Sequence, residues 1–160
     1  MEIRLAAMDD LAAVTALEAV CFPPAEAAQE DSLRARLAVY PNHFWLLENE
    51  GRLVSFVNGL VTDAYDLTDE MFDDVSYHSE NGGWQEIFGG GTHPDYQRRG
   101  CAEKLLRYVV EQARQQGRKG LVLTCKEHLL HFYGKVGFVD EGISDSTHGG
   151  AVWHKMRLTF

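Results

Sequence analysis

The segment most informative about the fold is Gly89–Ala102, which reads GGGTHPDYQRRGCA. It begins inside a predicted strand, Trp84–Thr92, and runs into a predicted amphipathic helix. Apolar residues recur at helical spacing in that helix, at Ala102, Leu105, Leu106, Val109, Val110 and Ala113. The first turn of such a helix has unpaired N–H groups, and the helix dipole makes that end attractive to anions. Because Arg98 and Arg99 add positive charge, the turn predicts a pyrophosphate-binding site.

The spacing of the glycines indicates which pyrophosphate-containing ligand the turn would bind. No Lys-Ser/Thr pair follows a glycine, so the Walker A pattern is absent, and the turn also lacks Gly-x-Gly-x-x-Gly. The turn contains Gln97-x-x-Gly100-x-Ala102, which resembles the coenzyme A signature of the GNAT superfamily of N-acetyltransferases. Downstream, Phe132–Phe138 reads FYGKVGF and resembles the Phe-Tyr-x-x-x-Gly-Phe segment of the same superfamily. Within it, Phe22, its spacing to Glu50–Val54, and the segment Cys125–Phe138 look most like the arylalkylamine (serotonin) N-acetyltransferase group.

The rest of the chain fits one domain spanning residues 1–160. The pattern predicts a first strand near Ile3, two helices separated by Pro23-Pro24, and a hairpin of His43–Leu47 with Leu53–Val61. The acidic stretch Thr62–Gly83 is predicted to be a loop with one helical turn after Thr68. The later segments are predicted as a strand at 121–123, a helix at 127–136 and strands at 138–143 and 151–158. The resemblance implies a mixed, mostly antiparallel α/β sheet of six to seven strands. Its central parallel strand pair would splay, and helices would cover both faces.

Charge and composition exclude several classes of function. The net charge of −9 argues against a nucleic-acid-binding protein. No apolar run approaches the ~18 residues that cross a membrane, so we expect a cytoplasmic protein. The three cysteines are scattered along the chain, which suits neither a disulfide framework nor a metal site, and we therefore expect no metal. The charge is uneven, at +5 over Gln97–Lys119 and −7 over Thr62–Glu80. These are either two solvated faces or the sites of an anionic and a cationic ligand.

The resemblance implies acetyl-CoA as cosubstrate. The loop amides from Arg98 to Glu103 would wrap the pyrophosphate, and strand amides near Gly90 and Thr92 would hold the pantetheine arm and the acetyl carbonyl. The residues expected to contact acetyl-CoA are Gly90, Gly91, Thr92, Gln97, Arg98, Arg99, Gly100, Cys101, Ala102, Glu103, Phe132 and Tyr133.

Two residues are expected to act in catalysis. Tyr133 matches the family tyrosine near the thioester sulfur, where a phenol can protonate the leaving thiolate. The histidine pair of the arylalkylamine group is absent, because Glu86 and Phe88 stand at those positions. Either Glu86, acting through a water, or another water wire would then deprotonate the amine. We expect Cys125 to be a buried residue rather than a nucleophile.

The acceptor is expected to be a primary amine of a small molecule, aromatic or cationic. The residues expected to line its pocket are Phe22, Trp45, Tyr65, Phe72, Tyr77 and His148. Two alternatives remain open at this point: a protein lysine or N-terminal acetyltransferase, and an acetyl-CoA-binding sensor without turnover. The family also suggests a homodimer.

Overall fold

The computed structural model describes all residues from Met1 to Phe160 and contains nine strands and five α-helices. The strands are β1 (Glu2–Leu5), β2 (Phe44–Asn49), β3 (Arg52–Asn58), β4 (Val61–Thr62), β5 (Trp84–Ile87), β6 (Gly89–Thr92), β7 (Gly120–Cys125), β8 (Val139–Ile143) and β9 (His154–Thr159). The helices are α1 (Leu11–Cys21), α2 (Glu30–Val39), α3 (Asp69–Asp73), α4 (Cys101–Gln115) and α5 (Leu130–Val136). No helix is both long enough and apolar enough to cross a bilayer.

The strands form two sheets that meet where the chain passes from β5 to β6. One sheet has the order β1-β2-β3-β6, and the other has the order β4-β5-β7-β9-β8. All pairs are antiparallel except β5 with β7, whose register pairs Trp84 with Gly120 and Ile87 with Leu123. The expected mixed sheet with a central parallel pair is therefore confirmed.

Helices cover both faces of the sheet that contains β2, and the sequence of β2 explains this arrangement. Trp45 and Leu47 belong to the larger core cluster, which also contains the apolar face of α4. Phe44 and Leu46 alternate with them and pack with α1 and α2 on the opposite face. Because successive side chains of a strand point to opposite faces, a strand covered on both sides must be apolar throughout, as β2 is at these four positions.

The α4 helix is the longest, and its sequence explains both ends. Gly100 precedes it with a φ of 78°, a left-handed conformation that favours glycine. Residues Leu105, Leu106, Val109, Val110 and Ala113 are all buried, as the spacing predicts. Gly117 lies just beyond the helix with a φ of 79°. The helix thus holds the preceding turn, with its two arginines, against the end of β6.

Candidate active site

The two sheets separate because of a bulge at Phe88. The Phe88 amide donates to the carbonyl of Asn58, and Gly89 is also the register partner of Asn58, so two residues of one strand face a single residue of the other. Up to Ile87 the strand pairs with β7, whereas from Gly89 onward it pairs with β3. The chain therefore opens a gap between β6 and the end of β7.

The amides of Gly90 and Thr92 point into this gap. His93 donates to the carbonyl of Val54, which sets the alternation of hydrogen bonds along the pair of β3 and β6. By that alternation Gly89 and Gly91 turn their polar groups toward β3, and Gly90 and Thr92 turn theirs away from it. The carbonyl of Thr92 agrees with this direction, because it accepts from the Cys21 thiol at 3.5 Å on the side of α1.

Beside the gap lies a cavity of about 350 Å³, which we call the loop-side cavity. It reaches from the glycine strand to the start of α4 and the aromatic pair of α5. Of the residues expected to contact acetyl-CoA, it is lined by Gly90, Gly91, Thr92, Gln97, Ala102, Phe132 and Tyr133.

The turn before α4 presents unpaired donors next to this cavity. No backbone amide from Arg98 to Glu103 donates a hydrogen bond to the chain. Arg98 adopts a φ of 61°, and Gly100 follows in the left-handed region. Both arginines are exposed, and Arg99 lies over the ring of Tyr96 at 5.3 Å. Cys101, by contrast, turns its side chain into the core. Backbone donors at a helix N-terminus with two arginines suit a pyrophosphate.

A second cavity, of about 240 Å³, continues from the first, and we call it the deep cavity. It lies between α1, α3 and the segment 146–153. The two cavities share Cys21, Phe22, Ile87, Gly90, His128, Leu129 and Tyr133. The two cavities therefore adjoin, and we call the pair the passage; the shared residues mark the point where a molecule in one would meet a molecule in the other.

Tyr133 stands at this junction with a free hydroxyl. The hydroxyl makes no hydrogen bond within the chain, and the ring packs edge-on against Phe132 and Phe138. Burial, with a smaller contribution from Cys125, raises the pKa of Tyr133 to about 12, so the phenol holds its proton at neutral pH. Burial likewise raises the pKa of the Cys125 thiol to about 11, which leaves it protonated and a poor nucleophile.

The far end of the deep cavity is bounded by the segment before β9. Asp69 accepts from the Ser146 hydroxyl at 2.5 Å and from the Thr147 amide at 3.1 Å, which ties this segment to α3. His148 packs against Phe72 with ring centroids 4.4 Å apart and the rings tilted by 52°, and its Nε2 lies 2.9 Å from the carbonyl of Glu26. These contacts join three parts of the chain around one end of the passage.

Comparison with known proteins agrees with this architecture. The model of the acetyltransferase (GNAT) family matches residues 11–138. The chain belongs to this family. Serotonin N-acetyltransferase of Mesocricetus auratus is 28% identical over 130 residues, which cover 81% of this chain and 61% of that relative. The chain thus spans somewhat less than two thirds of the relative's length.

Solved structures with the GNAT fold superpose over nearly the whole chain. The loading GNATL domain of CurA from Lyngbya majuscula gives a TM-score of 0.85 at 16% identity, covering 99% of this chain and 96% of that one. The GphF GNAT-like decarboxylase, solved with isobutyryl-CoA, gives 0.84 at 19% identity, covering 99% of both chains. The ribosomal-protein-S18-alanine N-acetyltransferase from Escherichia coli gives 0.74 at 18% identity, covering 99% and 92%. At these identities the likeness concerns the fold.

The GNAT chain brings together only some of the residues expected around the acceptor. Phe22, Phe72 and His148 all line the deep cavity. Trp45 does not, because β2 is covered on both faces and its indole lies in the core under α4. Tyr65 lies instead over the guanidinium of Arg157, 3.5 Å from the ring centre.

Two further expected residues lie outside the cavities. Tyr77 is 46% exposed, in a short 3₁₀ turn after α3. Glu86 is fully buried in β5 and lines neither cavity. Neither oxygen of the Glu86 carboxyl has a hydrogen-bond partner, and burial raises its pKa well above the usual range, against the charge of Arg157. A base on β5 that acts through water needs a path from its carboxyl to one of the cavities, but Glu86 lines neither of them.

One carboxyl that the sequence pattern did not single out lines the deep cavity. Glu18, in α1, is 3% exposed and lines that cavity together with Glu26 and Lys126, which form an ion pair at 2.8 Å. Glu18 is the only charged residue of Leu11–Cys21, and it shares a helix face with Val14 and Cys21. A lone charge on the apolar stripe of a helix was the signal that could have identified it.

Proposed function

We propose that this protein transfers the acetyl group of acetyl-CoA to the primary amine of a small molecule. The observation that carries the proposal is the pair of adjoining cavities where β6 leaves β7, with Tyr133 lining both. One end has the donors that a pyrophosphate requires, and the other is a partly acidic chamber. A ternary complex fits such a passage, because the two substrates can meet without an acyl-enzyme.

The loop-side cavity is proposed to take the cosubstrate. The unpaired amides from Arg98 to Glu103 would hold the pyrophosphate, and the arginines would add charge. The pantetheine arm would extend along the glycine strand, where the missing side chains leave room. The free N–H groups of Gly90 and Thr92 suit the amide groups of that arm and the thioester carbonyl.

The chemistry proposed at the junction is direct attack. The neutral amine adds to the thioester carbon, and the resulting oxyanion is stabilised by backbone donors near Gly90. The carbon–sulfur bond then breaks, and Tyr133 gives its proton to the departing thiolate. A phenol with a pKa of about 12 is protonated until the thiolate forms, so the proton is present when it is needed.

The contacts across the far end of the deep cavity favour a small acceptor over a peptide. A peptide substrate needs a groove that lets its chain leave the site, whereas Asp69, Ser146 and His148 join α3 to the segment before β9 across this end. The aromatic rings of Phe22, Phe72 and Trp153 offer an apolar wall. Glu18 and Asp69 place carboxyls beside it, which suits a cationic amine.

Measuring thiol release from acetyl-CoA with matched acceptors tests the proposal. One set would contain small arylalkylamines and aliphatic diamines, and the other peptides with a free N-terminus or lysine. We expect release with small amines and a kcat/KM at least about tenfold lower with peptides. Release with peptides alone would refute the small-molecule acceptor, and binding of acetyl-CoA without release to any amine would favour a sensor.

A further inference from the structure

The carboxyl of Glu18 lies directly beside the proposed reaction centre. Its Oε2 accepts from the Ala28 amide at 3.2 Å, whereas its Oε1 makes no hydrogen bond within the chain. A Cβ added to Gly89 would lie 3.6 Å from this free oxygen. Gly89 precedes Gly90, which lines both cavities. One carboxylate oxygen is thus fixed to the backbone, and the other is available next to the glycine strand.

Asn58 brings a donor to the same place. Its Nδ2 would lie 3.5 Å from that added Cβ, and the amide is fully buried with no hydrogen-bond partner for this nitrogen. Its other terminal atom, Oδ1, accepts from Arg36 at 3.0 Å, which fixes the orientation of the amide. Buried polar groups of proteins are nearly always paired. Asn58 lines neither cavity, so its free donor lies in the wall beside Gly89, whereas the free oxygen of Glu18 belongs to a residue that lines the deep cavity.

The charges that face Glu18 come from several elements. Arg36 approaches from α2 and His148 from the segment before β9, and both favour the ionised carboxylate. Cys21 follows on the same helix, and its thiol stays protonated, because burial and then the charge of Glu18 raise its pKa to about 11. The remaining ionisable groups that line the deep cavity are Glu26, Asp69, Cys125, Lys126, His128 and Tyr133.

We propose that Glu18 is the proton acceptor for the amine, and that Asn58 and the bare backbone of Gly89 shape the space where the amine nitrogen sits. This inference rests on the proposed acetyl transfer and adds the identity of the base. It places the base on the first helix, opposite the strand position occupied by Glu86. Because burial raises the pKa of Glu18 above its ordinary value, the carboxylate is a stronger base than an exposed glutamate.

The step balances without a further reactant. The bound ammonium gives one proton to Glu18, and its nitrogen lone pair then forms the bond to the thioester carbon. When the carbon–sulfur bond breaks, the thiolate takes the Tyr133 proton, and the second proton of the nitrogen restores the phenol. Glu18 finally releases its proton to solvent, so the products are the acetylated amine, the free thiol and one proton.

The test is the pH dependence of kcat/KM for the amine in Glu18→Gln. The glutamine keeps the size of the side chain and an oxygen for the Ala28 amide, so the fold should persist. We expect a loss of about 100-fold near neutral pH, with the KM for acetyl-CoA within about twofold. The loss should shrink about tenfold per pH unit as free amine forms on approach to its own pKa of about 10. Glu111→Gln, on the exposed side of α4, should match the wild type at every pH.

A second variant keeps the inference falsifiable if Glu18→Gln folds poorly. Gly89→Ala adds a methyl at ordinary contact distance from Asn58 and Glu18, so the fold should accept it. It fills the proposed space, and we expect the KM for the amine to rise about tenfold with the acetyl-CoA dissociation constant unchanged. Gly134→Ala meets nothing within 4 Å and should change neither constant.

The outcomes separate this inference from the function beneath it. Turnover in the wild type with a pH-independent loss, or no loss, in Glu18→Gln would overturn the role of Glu18 and leave acetyl transfer standing. If His148→Gln, rather than Glu18→Gln, abolished the fall of kcat/KM toward low pH, the base would be His148. No thiol release from the wild type with any amine, despite bound acetyl-CoA, would overturn both.

Discussion

Cys21 of α1 and Gly91 of β6 approach so closely that any side chain at position 91 would force its neighbours to shift. A Cβ at Gly91 would lie 2.8 Å from the Cys21 Sγ and 3.2 Å from an edge carbon of Phe56. This contact presses the first helix onto the separated strand. The same contact brings Glu18, one turn earlier on α1, close to Gly89, which lies two residues before Gly91.

Gly91→Ala should therefore destabilise the protein by about 1–3 kcal/mol, because the methyl overpacks the contact of α1 with β6. Thermal or chemical unfolding measures the effect. Gly90→Ala is the matched control, since its added Cβ meets the Phe56 carbonyl and Val57 only at 3.5 Å. Equal stabilities of the two variants would contradict the close packing at Gly91.

Gly100→Ala should weaken acetyl-CoA binding. The glycine has a left-handed backbone and open space around it, so an added Cβ causes strain of about 1 kcal/mol without a clash. That strain falls on the turn whose amides are proposed to hold the pyrophosphate. Gly117→Ala provides the control, because Gly117 has nearly the same φ and equally open space beyond the other end of α4.

Both variants should lose similar stability, but only Gly100→Ala should raise the acetyl-CoA dissociation constant, which titration calorimetry reports. A similar rise in both variants would show that the turn has no special part in binding.

Tyr133→Phe should lower kcat about 100-fold and leave the melting temperature nearly unchanged. The phenol oxygen makes no hydrogen bond within the chain, so its removal costs little folding energy, while the thiolate loses its proton donor. Tyr108→Phe, on an exposed part of α4, is the control. A wild-type kcat in Tyr133→Phe would remove the assigned acid.

Glu86→Gln should stabilise the protein at neutral and alkaline pH and retain turnover. The raised folded pKa of Glu86 means that its contribution to stability is fully present below the ordinary value of 4.5 and is lost as pH rises through the folded value. Glutamine carries no charge to bury, so the free energy of unfolding near pH 8 should rise by about 2 kcal/mol. The two proteins should converge below pH 4.5, and an unchanged difference across pH would contradict this explanation.

Much of the fold could be predicted because its signals are local. The spacing of Leu105, Leu106 and Val109 fixed the face of α4, and Gly100 and Gly117 marked its ends. The resemblance of Gln97–Ala102 and of Phe132–Phe138 to known motifs then supplied the order of the sheet. The separation of β6 from β7 was expected from that resemblance alone, since it depends on the bulge against Asn58, a tertiary pairing.

The lining of the acceptor site could be predicted only in part. Aromatic residues near the acidic loop looked alike in sequence, but Tyr65 packs on Arg157 and Trp45 lies under α4, whereas Phe72 turns toward His148. Which ring faces the cavity depends on partners distant in the chain. The position of Glu18 beside Gly89 could not be predicted for a similar reason, because nothing local in the sequence shows that α1 lies against Gly89.

The most direct measurement follows an isotopically labelled acetyl group from acetyl-CoA in the presence of a small arylalkylamine, with mass spectrometry of both the amine and the intact protein. We expect labelled acetylamine and free thiol in equal amounts, with the protein itself unlabelled, because transfer is direct. Label on the protein as an obligate intermediate, or bound acetyl-CoA that never yields labelled amine, would contradict it.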